Sequence, residues 1–170
     1  MIDFNQYIIG ESKEKILVES IDENRAAALA LAQQAKKSLH IFSHDLDAMV
    51  YDKSDFLEAA KNLAIAHKHS FIHIIIHDSR KIVQQSHRLV ELSRRLSSSI
   101  HIRKTPPELK PHTEAFCIAD ETAILRRVLD NRYEGYVNFC DRLECKNILD
   151  FFKIAWEKST PAPELRRLHI

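Results

Sequence analysis

Two His-Asp pairs, an arginine-rich stretch and one His-Glu pair are the residues of this 170-residue chain that could do chemistry. His44-Asp45 and His77-Asp78 each follow an apolar run that reads as a strand. In an open α/β sheet, ligands bind outside the carboxyl ends of strands, and imidazole beside carboxylate suits a divalent cation. The plainer reading has Asp45 and Asp78 capping loops or helices while the histidines pack as polar neighbours. The expectation is therefore no metal. Between Ser79 and Lys104, seven Lys/Arg stand against one Glu and no Asp. His87, Glu91, Arg94 and Arg95 fall there at helical steps, with Arg88 beside them. Arg suits two-pronged binding of carboxylate or phosphate, so His87, Arg88, Glu91, Arg94 and Arg95 form a candidate anion- or partner-binding surface. The alternative is a solvated helix face with a His87–Glu91 pair.

The elements that must position these residues follow from periodicity. Lys15–Ser20, Leu39–His44, Phe71–His77 and Ser99–Arg103 read as strands; the three consecutive isoleucines of the third suggest burial on both faces. Asp22 opens a helix to about Lys37 with Ala26, Leu29, Ala30 and Gln33 on one side. Ser54 opens another through about His69, with Phe56, Ala60, Leu63 and Ala64 on one side. Ser79–Ser97 reads as one long amphipathic helix, and Asp45–Lys53 as a loop. Ala115–Ala119 and Ala123–Leu129 read as a hairpin around Asp120-Glu121. Residues 130–140 read as irregular, and Asp141 to about Ser159 as a last helix. Successive strand–helix–strand units imply parallel strands with right-handed crossovers, and the hairpin makes the sheet mixed. The expected organisation is an N-terminal arm at 1–15, one domain at 16–160 and a basic tail at 161–170.

The His-Glu pair lies on the hairpin. The segment His112-Thr-Glu114-Ala-Phe-Cys-Ile-Ala-Asp120, followed by Gly135-Tyr-Val-Asn138, resembles the HxKx4D and GSxN motifs of the phospholipase D superfamily. The element order also resembles one half of a phospholipase D fold. More narrowly, HRLVELSRRL at His87–Leu96, FCIAD and EGYVN look like a family of uncharacterised phospholipase D-like domains of gamma-proteobacteria, sometimes fused behind an acetyltransferase. The resemblance covers roughly residues 20–160. It implies a metal-independent site with His112 as nucleophile, Glu114 in place of the phosphate-binding Lys, and Asp120 and Asn138 at the remaining positions. Glu114 reverses the charge where a phosphate would sit. Like charges about 4 Å apart cost on the order of 4 kcal/mol at an effective dielectric near 20.

Composition narrows the remaining classes. With two glycines, no GxGxxG or GxxxxGK[ST] loop exists. A net charge of +1 and no interleaved aromatics give no pointer to nucleic acid. Three cysteines without CxxC spacing fit a reducing compartment and no structural zinc. No signal-like start and no apolar run of about 20 residues occur, so the expected location is the cytoplasm, off the membrane, and the resemblance implies a bacterial one. The sequence thus reads as an α/β domain with a mixed β-sheet flanked by helices, a single phospholipase D-like half. The expected function is a non-catalytic binding or regulatory module without cofactor, with an anionic ligand or a partner such as an acetyltransferase domain. The alternative is a phosphodiesterase or nuclease in which a homodimer brings two copies of His112 together, with Arg94 or Arg95 replacing the missing Lys.

Overall fold

The structure is a computed structural model that describes residues 2–166. Eight strands form one sheet: β1 (Lys15–Val18), β2 (Ser38–Ser43), β3 (Phe71–Ile76), β4 (Ile100–Lys104), β5 (Ala115–Ala119), β6 (Ala123–Arg127), β7 (Gly135–Asn138) and β8 (Thr160–Pro161). Their order is β1-β7-β6-β5-β2-β3-β4-β8. β2, β3 and β4 run parallel; β5, β6 and β7 form an antiparallel meander beside β2. The mixed α/β architecture is as the periodicity predicts. β1 is not: it pairs antiparallel with β7 at the far edge instead of lying next to β2.

Helices cover both faces. α1 (Ile21–Gln34), α3 (Ser54–Ala66) and the shorter α2 (Ala48–Tyr51), α4 (Arg80–Gln85) and α5 (Arg88–Arg95) contribute to the larger core, with Leu31, Leu39, Ile41, Phe56 and Ile74 fully buried. The other face packs against α6 (Arg142–Lys158), through Phe42, Ile75, Phe116, Ile118, Ile148 and Phe152. Side chains alternate along a strand. This face therefore also receives His40, His73 and His101, which are register neighbours on β2, β3 and β4.

Several local expectations are corrected. α1 is capped two residues early: Ser20 Oγ accepts the Glu23 N–H at 3.1 Å, and Glu23 reaches back to the Glu19 N–H. Its buried side is Asn24, Ala27, Ala28 and Leu31, and Gln33 is exposed. The loop after β2 contains α2. The stretch 79–97 is two helices, because Ser86 takes a left-handed φ of 53° and His87 caps the second. The irregular stretch 130–140 contains β7. The N-terminal residues fold back: Phe4 is buried and stacks with Phe139, and the Ile9 N–H donates to Gln34 Oε1 at 2.9 Å. Of the basic tail, Pro161 lies in β8 and Pro163–Leu165 form a 3₁₀ turn; residues 167–170 lie outside the described residues. Among the described residues, no helix is long and apolar enough to cross a membrane.

Candidate functional site

Alternation on the meander assembles one polar cluster. Glu114 precedes β5 in phase with Phe116 and Ile118, so it points to the α6 face. Register places Phe116 opposite Arg126, and Arg126 opposite Tyr136. The first turn of α6 then lowers Glu144 onto the row, with Asp141 as the helix cap accepting the Glu144 N–H at 3.1 Å.

The side chains form a continuous chain. His112 Nε2 lies 3.1 Å from Glu114 Oε1. Arg126 Nε donates to Glu114 Oε2 at 2.6 Å, and Arg126 Nη1 donates to Glu144 Oε1 at 2.8 Å. The Tyr136 hydroxyl donates to the same Glu144 oxygen. The His112 ring stacks on Phe151 at 4.2 Å and meets Phe42 edge-on at 5.3 Å. Its carbonyl oxygen accepts from His77 Nε2 at 3.0 Å, while His77 Nδ1 meets Thr105 Oγ1 at 2.8 Å.

These contacts set the protonation states. Burial works against the charge of Arg126, but hydrogen bonds with the Tyr136 hydroxyl, Glu114 and Glu144 hold the guanidinium above its ordinary range. Burial and the Glu144 hydrogen bond raise the Tyr136 hydroxyl. Burial pushes Glu144 up, yet Tyr136 and Arg126 outweigh it and leave the carboxyl below its ordinary value. Glu144 also sits in the first turn of a helix, where the backbone dipole favours an anion.

His112, Glu114 and Arg126 line an open depression of about 510 Å³ together with Asp141, Glu144 and Phe151. Three carboxylates there face one guanidinium, a formal charge of −2 counted over Asp, Glu, Lys and Arg.

The four motif positions do not form one site. His112 lies at the carboxyl edge of the parallel strands, beside His77. Asp120 and Asn138 lie at the amino edge, on the order of 15 Å away along the strands. Asp120 accepts the backbone N–H groups of Lys36, Lys37 and Ser38, at 2.7 Å for Lys37. Asn138 bonds the Lys13 carbonyl and the Cys140 N–H. Gly135 serves packing, since a Cβ there would collide with the Arg126 carbonyl oxygen. The motif register itself needs correction. His112 precedes Asp120 by eight residues, whereas HxKx4D allows seven. Counted back from Asp120, the His position falls on Thr113 and the Lys position on Ala115, which is buried. Either register lacks the Lys.

The arginine-rich stretch is also redistributed. His87 is buried, accepts the Leu89 N–H on Nδ1 and meets the Leu46 carbonyl through Nε2, so the expected His87–Glu91 pair is absent. Arg88 is taken by Asp52 at 2.7 Å and by Ser54. Glu91, Arg94 and Arg95 line a depression of about 430 Å³ beside Leu165. Neither Arg94 nor Arg95 lines the His112 depression, where the cation is Arg126. At the strand ends, His44 faces Asp130 at 3.7 Å, Asp45 pairs with Lys81 and Asp78 with Arg80. Among the described residues, no group of three His, Cys, Asp or Glu is arranged to hold a metal ion.

Sequence reasoning missed Arg126 and Glu144, and met Tyr136 only as a member of the Gly135-Tyr-Val-Asn138 segment. The hairpin register around Asp120-Glu121 was the signal for Arg126, because it sets that residue opposite Phe116.

Comparison with known proteins fits this geometry. The sequence model of a family described as a domain of unknown function (DUF7931) matches residues 20–168. No curated protein matches. Among solved structures, Nuc of Salmonella typhimurium, a phospholipase D family member, superimposes with a TM-score of 0.64 at 14% identity, covering 88% of this chain and 97% of Nuc. TrmBL2, an archaeal chromatin protein with a novel mode of DNA binding, gives 0.63 at 13% identity, covering 88% of this chain and 54% of TrmBL2. Phosphatidylserine synthase of Haemophilus influenzae gives 0.64 at 12% identity, covering 92% of this chain and 39% of the synthase. The fold is phospholipase D-like.

Proposed function

The chain belongs to the DUF7931 family, and we propose that it works as a non-catalytic binding module on a phospholipase D-like fold. The observation that carries this reading is the local charge of −2 around His112, with Arg126 clamped between Glu114 and Glu144. A phosphodiester needs cations with unspent donors. Here Arg126 spends Nε and Nη1 on two carboxylates, and those carboxylates repel a phosphate. His112 at the same time is held against Glu114 and Phe151. The fold has a precedent in binding, since TrmBL2 is described by its mode of DNA binding. The partner to test first is an acetyltransferase domain, in cis or in trans, a choice resting on the sequence resemblance of His87–Leu96.

The test is a titration with inorganic tungstate, a phosphate mimic, followed on the His112 ring resonances. The reading expects no saturable shift. A saturable shift, abolished in Arg126→Met, would return the site to phosphate chemistry.

The alternative, a homodimeric phosphodiesterase, has one observation in its favour. Leu143, 72% exposed, rims the depression and would suit a face covered by another chain. That enzyme would still need a cation supplied by the second copy.

A further inference from the structure

A third cavity, of about 700 Å³, opens between the end of α5, the strand β4 and the segment after β8. Its lining carries Arg94, Arg95, Arg103 and Arg166 with His101, and no carboxylate. Two of the arginines are already oriented. Arg94 Nε donates to the Leu165 carbonyl at 2.7 Å. Arg103 Nη1 donates to the Trp156 carbonyl at 2.8 Å, and its guanidinium lies 4.3 Å over the Trp156 ring. Arg95 and Arg166 are exposed and make no ion pair with the described residues. Glu164, the acid next to Arg166's neighbour Leu165, is turned away to Ser79 at 2.7 Å and Lys104 at 3.6 Å. Ile100, Ile102, Ala162 and Leu165 complete the wall with apolar surface.

We propose that this cavity binds a small phosphate monoester with an apolar or planar body. The inference rests on the reading of the chain as a binding module and gives that module a ligand class. Four guanidinium groups that make no ion pair with the described residues call for a ligand of more than one negative charge. A phosphate monoester supplies about −1.5 to −2 and three acceptor oxygens, whereas a carboxylate supplies two oxygens and one charge. The volume falls in the range of roughly 300–1,000 Å³ usual for small-molecule sites. Free phosphate would leave the isoleucine wall uncovered, and the ester's body covers it. Partly fixed arginines lose less side-chain freedom on binding than free ones. The lining holds no Phe, Tyr or Trp on which successive bases of a nucleic acid would stack.

The probe is phenylphosphonate, which keeps the dianion and the planar body and cannot hydrolyse as an ester. Binding is followed on the side-chain N–H resonances of Arg94 and Arg103 and on the ring resonances of His112. The expected result is saturable shifts at Arg94 and Arg103, none at His112, and weaker binding of inorganic phosphate. Arg95→Glu combined with Arg166→Glu lowers the affinity by about tenfold or more, while Lys13→Glu, exposed just before β1 at the opposite edge of the sheet, changes it by less than about twofold. Both arginines are exposed, so the double variant keeps the fold, and its melting temperature checks that. Several results would overturn the site: no saturable shift, equal affinity for phosphate and phenylphosphonate, or equal losses in all variants. Binding only to phosphatidic acid vesicles or only to a dT12 oligonucleotide would replace the small ester by a lipid surface or a nucleic acid. Shifts centred on His112 would contradict the non-catalytic reading as well, whereas absence of binding without hydrolysis would leave that reading standing.

Discussion

Arg126 Nε lies 2.6 Å from Glu114 Oε2, and this pair decides what the depression can do. In an active phospholipase D-like site the resemblance implies a lysine next to the nucleophilic histidine. Here the residue two along from His112 is an acid, and that acid has its own cation from the neighbouring strand. The arrangement is self-neutralising in hydrogen bonds yet still net acidic. A phosphate would have to displace Glu114 or Glu144 from Arg126 and would leave a partly buried carboxylate without its partner, which is unfavourable.

The same pair gives a stability prediction. Arg126→Met keeps the length of the side chain and removes the charge, stranding Glu114 and Glu144. Because Arg126 remains 29% exposed, solvent screens part of the loss, and the expected cost is about 1–3 kcal/mol. Urea denaturation measures it as a lower midpoint at unchanged slope. A midpoint equal to that of the wild type would show that the chain of ion pairs is not held in solution.

Asp120 is predicted to matter for folding and not for chemistry. Its carboxylate collects three successive backbone N–H groups at the α1–β2 junction, and its φ is 54°. Asp120→Ala loses the acceptor and also strains a left-handed backbone, at a cost of about 2–3 kcal/mol. Asp120→Asn tolerates that backbone and keeps one acceptor oxygen, so its cost is about half. Thermal unfolding of the two variants orders them. Equal stability of both with the wild type would contradict the assignment.

Acid should destabilise the α6 face through His40. Burial, followed by the charge of Lys153, lowers the His40 pKa from 6.5 to about 4. The unfolded chain therefore takes up a proton below pH 6.5 that the folded chain refuses until about pH 4. Stability is full above pH 6.5 and falls as the pH drops through that window, on the order of 3 kcal/mol from this residue. His73, lowered to about 3 by burial and by its neighbour His40, adds a smaller part because it is more exposed. His40 Nδ1 is buried without a hydrogen-bond partner. His40→Leu should flatten the dependence between pH 6.5 and 4 and leave neutral-pH stability equal or higher. Chemical denaturation at pH 7 and pH 5 measures it; an undiminished slope in the variant would contradict the account.

The fold was largely legible, and the limits of that reading are physical. Phe71-Ile-His-Ile-Ile-Ile76 and the 115–127 hairpin announce themselves because burial imposes apolar runs and alternation directly on neighbouring residues. The break at Ser86 has no Gly or Pro to mark it; it depends on the His87 ring meeting the Leu46 carbonyl, 41 positions away. β7 is four residues long and begins at a glycine, too short for a period to show. The placement of β1 beside β7 is a long-range choice that no local pattern encodes. The site was legible only in part for the same reason. His112 and Glu114 are close in sequence, but Arg126 and Glu144 join them through hairpin register and the docking of α6. Register is also where the motif reading slipped. On a strand, one residue of shift exchanges the two faces, and here it exchanges half-buried His112 and Glu114 for exposed Thr113 and buried Ala115.

The central claim, that this fold carries no working phosphodiesterase centre, is tested most directly by hydrolysis of bis(p-nitrophenyl) phosphate. Wild type and His112→Ala are compared at neutral pH, with the oligomeric state measured on the same samples. The account predicts that both give the uncatalysed background rate, whether the chain is monomeric or dimeric. Turnover by the wild type that disappears in His112→Ala would contradict it, and would mean that the Glu114–Arg126 pair opens to admit a phosphate.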